Sequence, residues 1–286
     1  MTYTTLITAG RLQQLIPDGT PLMVFDCSFD LMKPQSGDQQ FQDAHIPGAV
    51  RADLDRHLSA AHGKAFASGG RHPLPTREDF AAWLGSVGFD KRMQAVVYDR
   101  QGSTYCGRLW WMLKWAGHEN VALLDGGLEA WYEIGGVVTA SQGSAHPPRT
   151  FRLMPERASL KNGSQVLAAM GRPTQTVVDA RAPARYRGEV EPLDPAAGHI
   201  PGALNRPFAS NMGANGRFKP AEQLRAEFDA LLAGRDPASV VHQCGSGVSA
   251  VPNVIAMEVA GLGRQALYAG SWSDWCSDPS RPVAQG

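Results

Sequence analysis

Of the four cysteines in the chain, Cys27, Cys106, Cys244 and Cys276, one stands where sulfur can be activated. Cys244 follows the short β-branched run Ser239 to His242 and opens the loop Cys244-Gly245-Ser246-Gly247-Val248-Ser249, with Pro252 near the start of the helical stretch beyond. Proline is tolerated in a first helical turn because the N–H it lacks would be unpaired there anyway. A Gly-rich loop running from a strand end into a helix turns successive backbone N–H groups, and the positive helix end, toward one sulfur. Such surroundings favour the thiolate and make Cys244 a candidate nucleophile. The competing reading is a buried, inert thiol, and it suits the other three. Cys27 follows the first strand, Cys106 falls inside a predicted helix, and Cys276 follows Trp275. No CxxC pair is present, so neither a zinc site nor a disulfide framework is expected.

The elements that must hold this loop occur twice. His45-Ile-Pro-Gly-Ala49 recurs as His199-Ile-Pro-Gly-Ala203, and Val96 to Trp131 aligns without gaps on Val240 to Trp275. Asp26 and Asp179 each end an apolar run shortly before the repeated pentapeptide. Strands are predicted at Pro21 to Asp26, Gln94 to Tyr98 and Ala122 to Leu124, and again at Thr176 to Asp179, Ser239 to His242 and Ala266 to Tyr268. Helical periodicity covers Glu78 to Val87 and Ala221 to Ala233, and Gly117 and Gly261 are placed as C-terminal caps. Strands alternating with helices at this spacing imply parallel α/β layers, which bind ligands beyond the carboxyl ends of their strands. The reading is of two homologous domains, 1–140 and 150–286, joined by a polar, Gly- and Pro-containing linker at 141–149. The first half carries an extra loop around Ala60 to Pro75, and Arg100 occupies its position equivalent to Cys244. Because His45 and His199 occur in both halves, including the half without the nucleophile, they are expected to fix turns and pack.

Composition narrows the function. Within 286 residues, Lys plus Arg and Asp plus Glu both number 27, leaving no broad cationic field for nucleic acid or an anionic membrane. No run approaches the length of a membrane span, and Met1 to Leu15 lacks a basic segment followed by an apolar one, so a cytoplasmic protein is expected. No metal cluster or dinucleotide fingerprint calls for a cofactor.

Together the two α/β halves, HIPGA in both, the missing nucleophile in the first and the loop CGSGVSA resemble the tandem-domain rhodanese and 3-mercaptopyruvate sulfurtransferase family over nearly the whole chain. The resemblance implies two rhodanese-like domains, each a parallel sheet flanked by helices, with the active site in the second. It also implies that Cys244 becomes a persulfide, taking sulfane sulfur from a small anionic donor and passing it to cyanide or a thiol, including that of a thioredoxin-like partner. The start Cys-Gly-Ser-Gly-Val resembles the mercaptopyruvate type, since the thiosulfate type carries basic residues after the Cys, whereas Gly245 and Ser246 are uncharged. An Asp, a His and a loop Ser act together in that branch, and Asp55, His72 and Ser246 follow in matching order. His72 would hold or shuttle a proton with Ser246 while Asp55 fixes its tautomer.

The family's GRF/GRY segment reads Ala184-Arg185-Tyr186-Arg187-Gly188, which makes Arg185 the implied clamp for a carboxylate or a thiosulfate oxygen and Arg187 its substitute. Gly245, Gly247, Val248 and Ser249 complete the implied binding loop. A second clamp arginine, expected in a Glu-Pro-Arg step, is replaced in Glu191-Pro192-Leu193-Asp194, a departure that resembles the thiosulfate branch. Two further readings stay open: a Cys-dependent phosphatase, disfavoured because Ser249 and Ala250 stand where an arginine should clamp the dianion, and a non-catalytic binding module.

Overall fold

Strands buried on both faces need continuous apolar runs, and such runs supply the centre of each of two sheets. The structure is a computed structural model and describes residues 2–141, 143 and 146–286. Within the linker expected at 141–149, Gln142, Ser144 and Ala145 lie outside the described residues. The chain forms two units. The first runs up to Ala65 and from Pro75 to Arg157, with Ala214–Arg217; the second comprises Phe66–Leu74, Ala158–Gly213 and Phe218–Gly286.

In the first unit β1 (Leu6–Ile7), β2 (Leu22–Asp26), β3 (Val50–Arg51), β4 (Gln94–Tyr98) and β5 (Val121–Leu124) form a sheet in the order β1-β5-β4-β2-β3. In the second, β6 (Leu160–Lys161), β7 (Thr176–Asp179), β8 (Leu204–Asn205), β9 (Val240–Gln243) and β10 (Ala266–Tyr268) repeat it as β6-β10-β9-β7-β8. Every pairing is parallel, and Asp26 meets Tyr98 as Asp179 meets Gln243. The chain is therefore α/β with two parallel five-stranded sheets flanked by helices.

Helices α1 (Ala9–Leu15), α2 (Ser36–Asp43), α3 (Arg77–Ser86), α4 (Cys106–Trp115) and α5 (Gly127–Glu133) flank the first sheet. The second has α6 (Gly163–Ala168), α7 (Pro183–Tyr186), α8 (Ala221–Leu232), α9 (Val251–Val259) and α10 (Ser271–Trp275). Gly117 and Gly261 follow α4 and α9 with φ of 90° and 70°, the left-handed geometry that closes a helix. One core gathers Val24, Val96, Tyr98 and Leu124 under Trp131, and the other gathers Val177, Val241 and Tyr268 under Trp272 and Trp275.

Residues after the linker continue on the first unit as far as Arg157. Phe151 stacks on Phe89 with ring centres 5.8 Å apart, and the Arg149 N–H donates to Gly85 O at 2.8 Å. His45 stacks on Phe41 and His199 on Tyr186, both at 3.9 Å. The two histidines thus pack identically in the two halves.

Candidate functional site

The site is assembled where β9 ends. Cys244 is 1% exposed and begins a loop whose outer edge is tied to α10: Trp272 N–H donates to Cys244 O and Ser273 N–H to Gly245 O, both at 2.9 Å. Ser271 Oγ accepts from the Cys244 N–H at 3.1 Å and donates to Tyr268 O at 2.9 Å. Gly247 has φ of 73°, and a Cβ there would run into the Ala269 carbonyl, so only glycine lets the loop turn at this point. With the carbonyls of Cys244 and Gly245 bound to α10, the N–H groups of Gly245, Ser246, Val248 and Ser249 meet no acceptor among the described residues. Unpaired N–H groups in the loop that a buried cysteine opens are the donors that an anion-stabilising nest requires.

Phe66–Leu74, from the extra loop of the first half, belongs to this same unit. Gly69 and Gly70 let it lie flush on α10: a Cβ on Gly69 would strike the Asp274 carboxylate and one on Gly70 the Gly270 carbonyl. The Arg71 N–H donates to Ser273 Oγ at 3.0 Å, which aims the next two side chains at the thiol loop. His72 Nδ1 lies 2.7 Å from Ser246 Oγ, and both residues are 6% exposed. The Arg71 guanidinium bonds through Nη1 to Asp194 Oδ1 at 2.6 Å.

Arg185, at the end of α7, grips Glu191 through Nε (3.2 Å) and Nη2 (2.6 Å) and reaches Asp194 Oδ2 through Nη2 at 3.2 Å. Arg181, 3% exposed, bridges Asp179 and Glu191 and lies over the Trp272 ring. Acids and arginines therefore alternate from β7 to the thiol loop, each buried charge paired as burial demands.

The equivalent position of the first unit is closed. The Asp99 carboxylate accepts the N–H groups of Gln101, Ser103, Tyr105 and Cys106 at 2.8–3.0 Å, so that loop's donors are satisfied internally. Arg100 turns its guanidinium onto Asp26, Ser28 and the carbonyls of Gln40 and Ala44. Burial, reinforced by the Asp26 and Asp99 carboxylates respectively, pushes the Cys27 and Cys106 thiols well up. Burial also raises Cys276. In the second unit Cys244 takes the place of Asp99, since its carbonyl accepts Trp272 N–H as that of Asp99 accepts Leu128 N–H, so the counterpart of the nucleophile in the folded chain is Asp99 and not Arg100. Gln243 pairs with Asp179 as Tyr98 pairs with Asp26, and neither its Nε2 nor its Oε1 has a partner among the described residues.

Of the residues singled out in the sequence, Cys244, Gly245, Ser246, Gly247, Val248 and Ser249 form one loop, and His72 and Arg185 converge on it. Asp55 belongs to the first unit, where it is exposed, its N–H donates to Asp53 Oδ1, and partial burial and Asp53 raise its carboxyl pKa. Arg187 is exposed and paired with Glu189 at 2.6 Å. Arg71 escaped the sequence reading. Its one signal is the Gly69-Gly70 pair before it, which marks a close backbone approach without naming what is approached.

Two repeats of one parallel α/β topology, with a cysteine opening the loop after the fourth strand in the second repeat, define a tandem-domain protein. A family model described as the Rhodanese-like domain matches residues 8–134 and again 163–278. The chain belongs to the rhodanese-like domain family. It is 44% identical over 287 residues to a Pseudomonas aeruginosa protein named "Probable 3-mercaptopyruvate sulfurtransferase", covering 100% of both chains. It is 33% identical over 297 residues to the thiosulfate sulfurtransferase of Cricetulus griseus, covering 99% of this chain and 96% of the other. The crystal structure of Escherichia coli SseA, presented as a 3-mercaptopyruvate sulfotransferase, superposes with a TM-score of 0.79 at 30% identity, covering 95% of this chain and 100% of SseA.

Proposed function

We propose that the protein is a sulfurtransferase that takes sulfur from 3-mercaptopyruvate onto Cys244 and delivers it to a thiol or to cyanide. The Cys244 thiolate attacks the donor sulfur. The carbon–sulfur bond breaks, its electron pair passes to carbon as the enolate of pyruvate, and a proton completes pyruvate. The persulfide left on Cys244 has its negative charge stabilised by the loop N–H groups of Gly245, Ser246, Val248 and Ser249, which meet no acceptor among the described residues. An acceptor thiolate, with a thioredoxin-like protein as the macromolecular version, then attacks the outer sulfur and restores Cys244.

The observation that carries the choice of donor is the 2.7 Å pair of His72 and Ser246 beside the nucleophile. Pyruvate leaves mercaptopyruvate's sulfur as a basic enolate that needs a proton, and an imidazole and hydroxyl in contact can supply one. Thiosulfate leaves as sulfite and needs none. The thiosulfate reading keeps support from relatives carrying that name and from Leu193-Asp194 in place of a clamp arginine.

The test is mass spectrometry of the intact protein after incubation with each donor, followed by steady-state kinetics. Mercaptopyruvate should add one sulfur atom, lost in Cys244→Ser and discharged by a small thiol. A larger kcat/KM with thiosulfate would reverse the donor assignment, and turnover retained in Cys244→Ser would end the mechanism.

A further inference from the structure

We propose that the cavity at the roots of the extra loop binds a small monocarboxylate with a short apolar chain, and that its occupant steadies the segment carrying Arg71 and His72. The cavity, of about 200 Å³, is lined wholly by residues of the first unit, among them Ala65 and Pro75, which flank Phe66–Leu74 on either side. That segment belongs to the second unit and closes on itself, the Ala67 N–H donating to Leu74 O at 2.8 Å and the Leu74 N–H to Ser68 Oγ at 3.0 Å. A ligand in the cavity therefore acts on both attachments of the segment at once.

The polar groups of the wall are mostly donors. The His57 ring stacks on Trp83 with centres 5.2 Å apart, and its Nδ1 accepts the Asp53 N–H at 3.0 Å. Burial keeps this imidazole neutral, so its one ring proton sits on Nε2, which has no acceptor among the described residues. Ser59 is 8% exposed, and its hydroxyl has no partner among the described residues. A buried hydroxyl left in that state is costly, and rotation about one bond brings it to a ligand oxygen. Lys64 adds an ammonium that makes no ion pair among the described residues. The other cation of the wall, Arg56, is already held by Asp38 and Asp53.

Two neutral donors beside one ammonium suit a single negative charge. Asp79, the acid of the wall, accepts the Thr76 hydroxyl at 2.8 Å and offsets part of the Lys64 charge, so a dianion would be poorly balanced. The remaining wall is apolar, with Ala60, Ala61, Phe80 and Trp83 beside the two roots, and it favours a carbon chain over a bare inorganic ion. Sites for drug-sized ligands run to roughly 300–1,000 Å³, so this smaller space sets the chain to a few carbons.

The experiment follows the His57 ring of the full-length protein by nuclear magnetic resonance with isotope-labelled histidine, using butyrate as the probe and assigning the resonance by its loss in His57→Gln. Butyrate should shift the resonance saturably, and butyramide, its neutral counterpart, should bind at least about tenfold more weakly. Ser59→Ala should raise the butyrate Kd at least about tenfold and Lys64→Gln about three- to fivefold. Ser59→Ala should leave Tm unchanged, because it removes a hydroxyl that bonds nothing; a lowered Tm would show that the hydroxyl already serves the fold and would overturn its role as a ligand donor. Hydrogen exchange of the Ala67 and Leu74 amides should slow on the order of tenfold at about ten times Kd, and unchanged exchange would overturn the link to the segment. A His57 resonance indifferent to butyrate, or equal affinity for butyramide, would overturn the site. None of these readouts involves turnover, so they stand or fall separately from sulfur transfer at Cys244.

Discussion

His72 Nδ1 and Ser246 Oγ meet at 2.7 Å although 174 positions separate them in the chain, and both are almost fully buried. A buried hydroxyl held by an imidazole can pass a proton to a departing carbanion, and such transfer contributes roughly 10²–10⁴-fold in rate. Ser246→Ala and His72→Gln should each lower kcat with mercaptopyruvate by about 10²-fold or more. Turnover of thiosulfate, whose sulfite leaves without a proton, should change by less than about tenfold. Steady-state kinetics with both donors check this; equal losses with the two would remove the proton-transfer role.

Asp99 and Cys244 occupy equivalent strand-end positions, the carbonyl of each accepting an N–H from the helix beyond, but the two loops they open differ. Asp99 ties up four loop N–H groups, whereas in the loop that begins at Cys244 the N–H groups of Gly245, Ser246, Val248 and Ser249 meet no acceptor among the described residues. Gln243→Asp should bury a carboxylate one residue before the nucleophile, where it opposes the thiolate and the persulfide charge. Sulfur loading should fall by at least about 10²-fold, the scale of electrostatic effects at a reacting anion. Intact mass after donor treatment reads the result, and undiminished loading would show that a charge beside Cys244 does not act on the persulfide. The reverse change, Asp99→Ala, strands four donors in the first unit and should cost about 3 kcal/mol or more of stability in chemical denaturation.

The central strands were legible because β2, β4, β7 and β9 are apolar, β-branched and short, and their alternation with helices allows few arrangements. The edge strands β1, β3, β6 and β8 were not, since two residues make no period. The thiol loop could be read because one continuous stretch contains it. Arg71 could not, because its meaning comes from Gly69 and Gly70 lying on α10, some two hundred residues away in sequence. Arg185 was found by motif, but its commitment to Glu191 belongs to folded geometry, as does the presence of Phe66–Leu74 in the second unit.

Gly247 tests how far the loop shape determines the chemistry. At φ of 73°, with the Ala269 carbonyl against the missing Cβ, Gly247→Ala must shift either the loop or β10's end. Strain of this kind costs on the order of 1–3 kcal/mol. The protein should still fold, with its melting temperature lowered by a few degrees, but kcat/KM should fall disproportionately because the N–H groups no longer converge on one sulfur. A variant with full activity at reduced stability would separate loop geometry from function.

Acid should weaken the fold through its buried histidines. Burial holds His242 down to about 3, with Arg206 adding repulsion, and burial likewise holds His57 and His118 down to about 4. Each is neutral in the folded chain near pH 5 but protonated when unfolded, where histidine titrates near 6.5. The unfolded state then binds more protons, so this contribution to stability is complete above about pH 6.5 and is lost as pH falls toward the folded values. Each histidine contributes a slope of up to about 1.4 kcal/mol per pH unit between these limits. His242 is fully buried in β9, with Nε2 3.2 Å from Met257 Sδ and Nδ1 without a partner among the described residues. His242→Phe removes its titration without placing a new polar group in the core. Denaturation midpoints measured from pH 7 to pH 4 should therefore fall less steeply in His242→Phe than in the parent protein. Identical slopes would mean that the imidazole is already accessible to protons in the folded state.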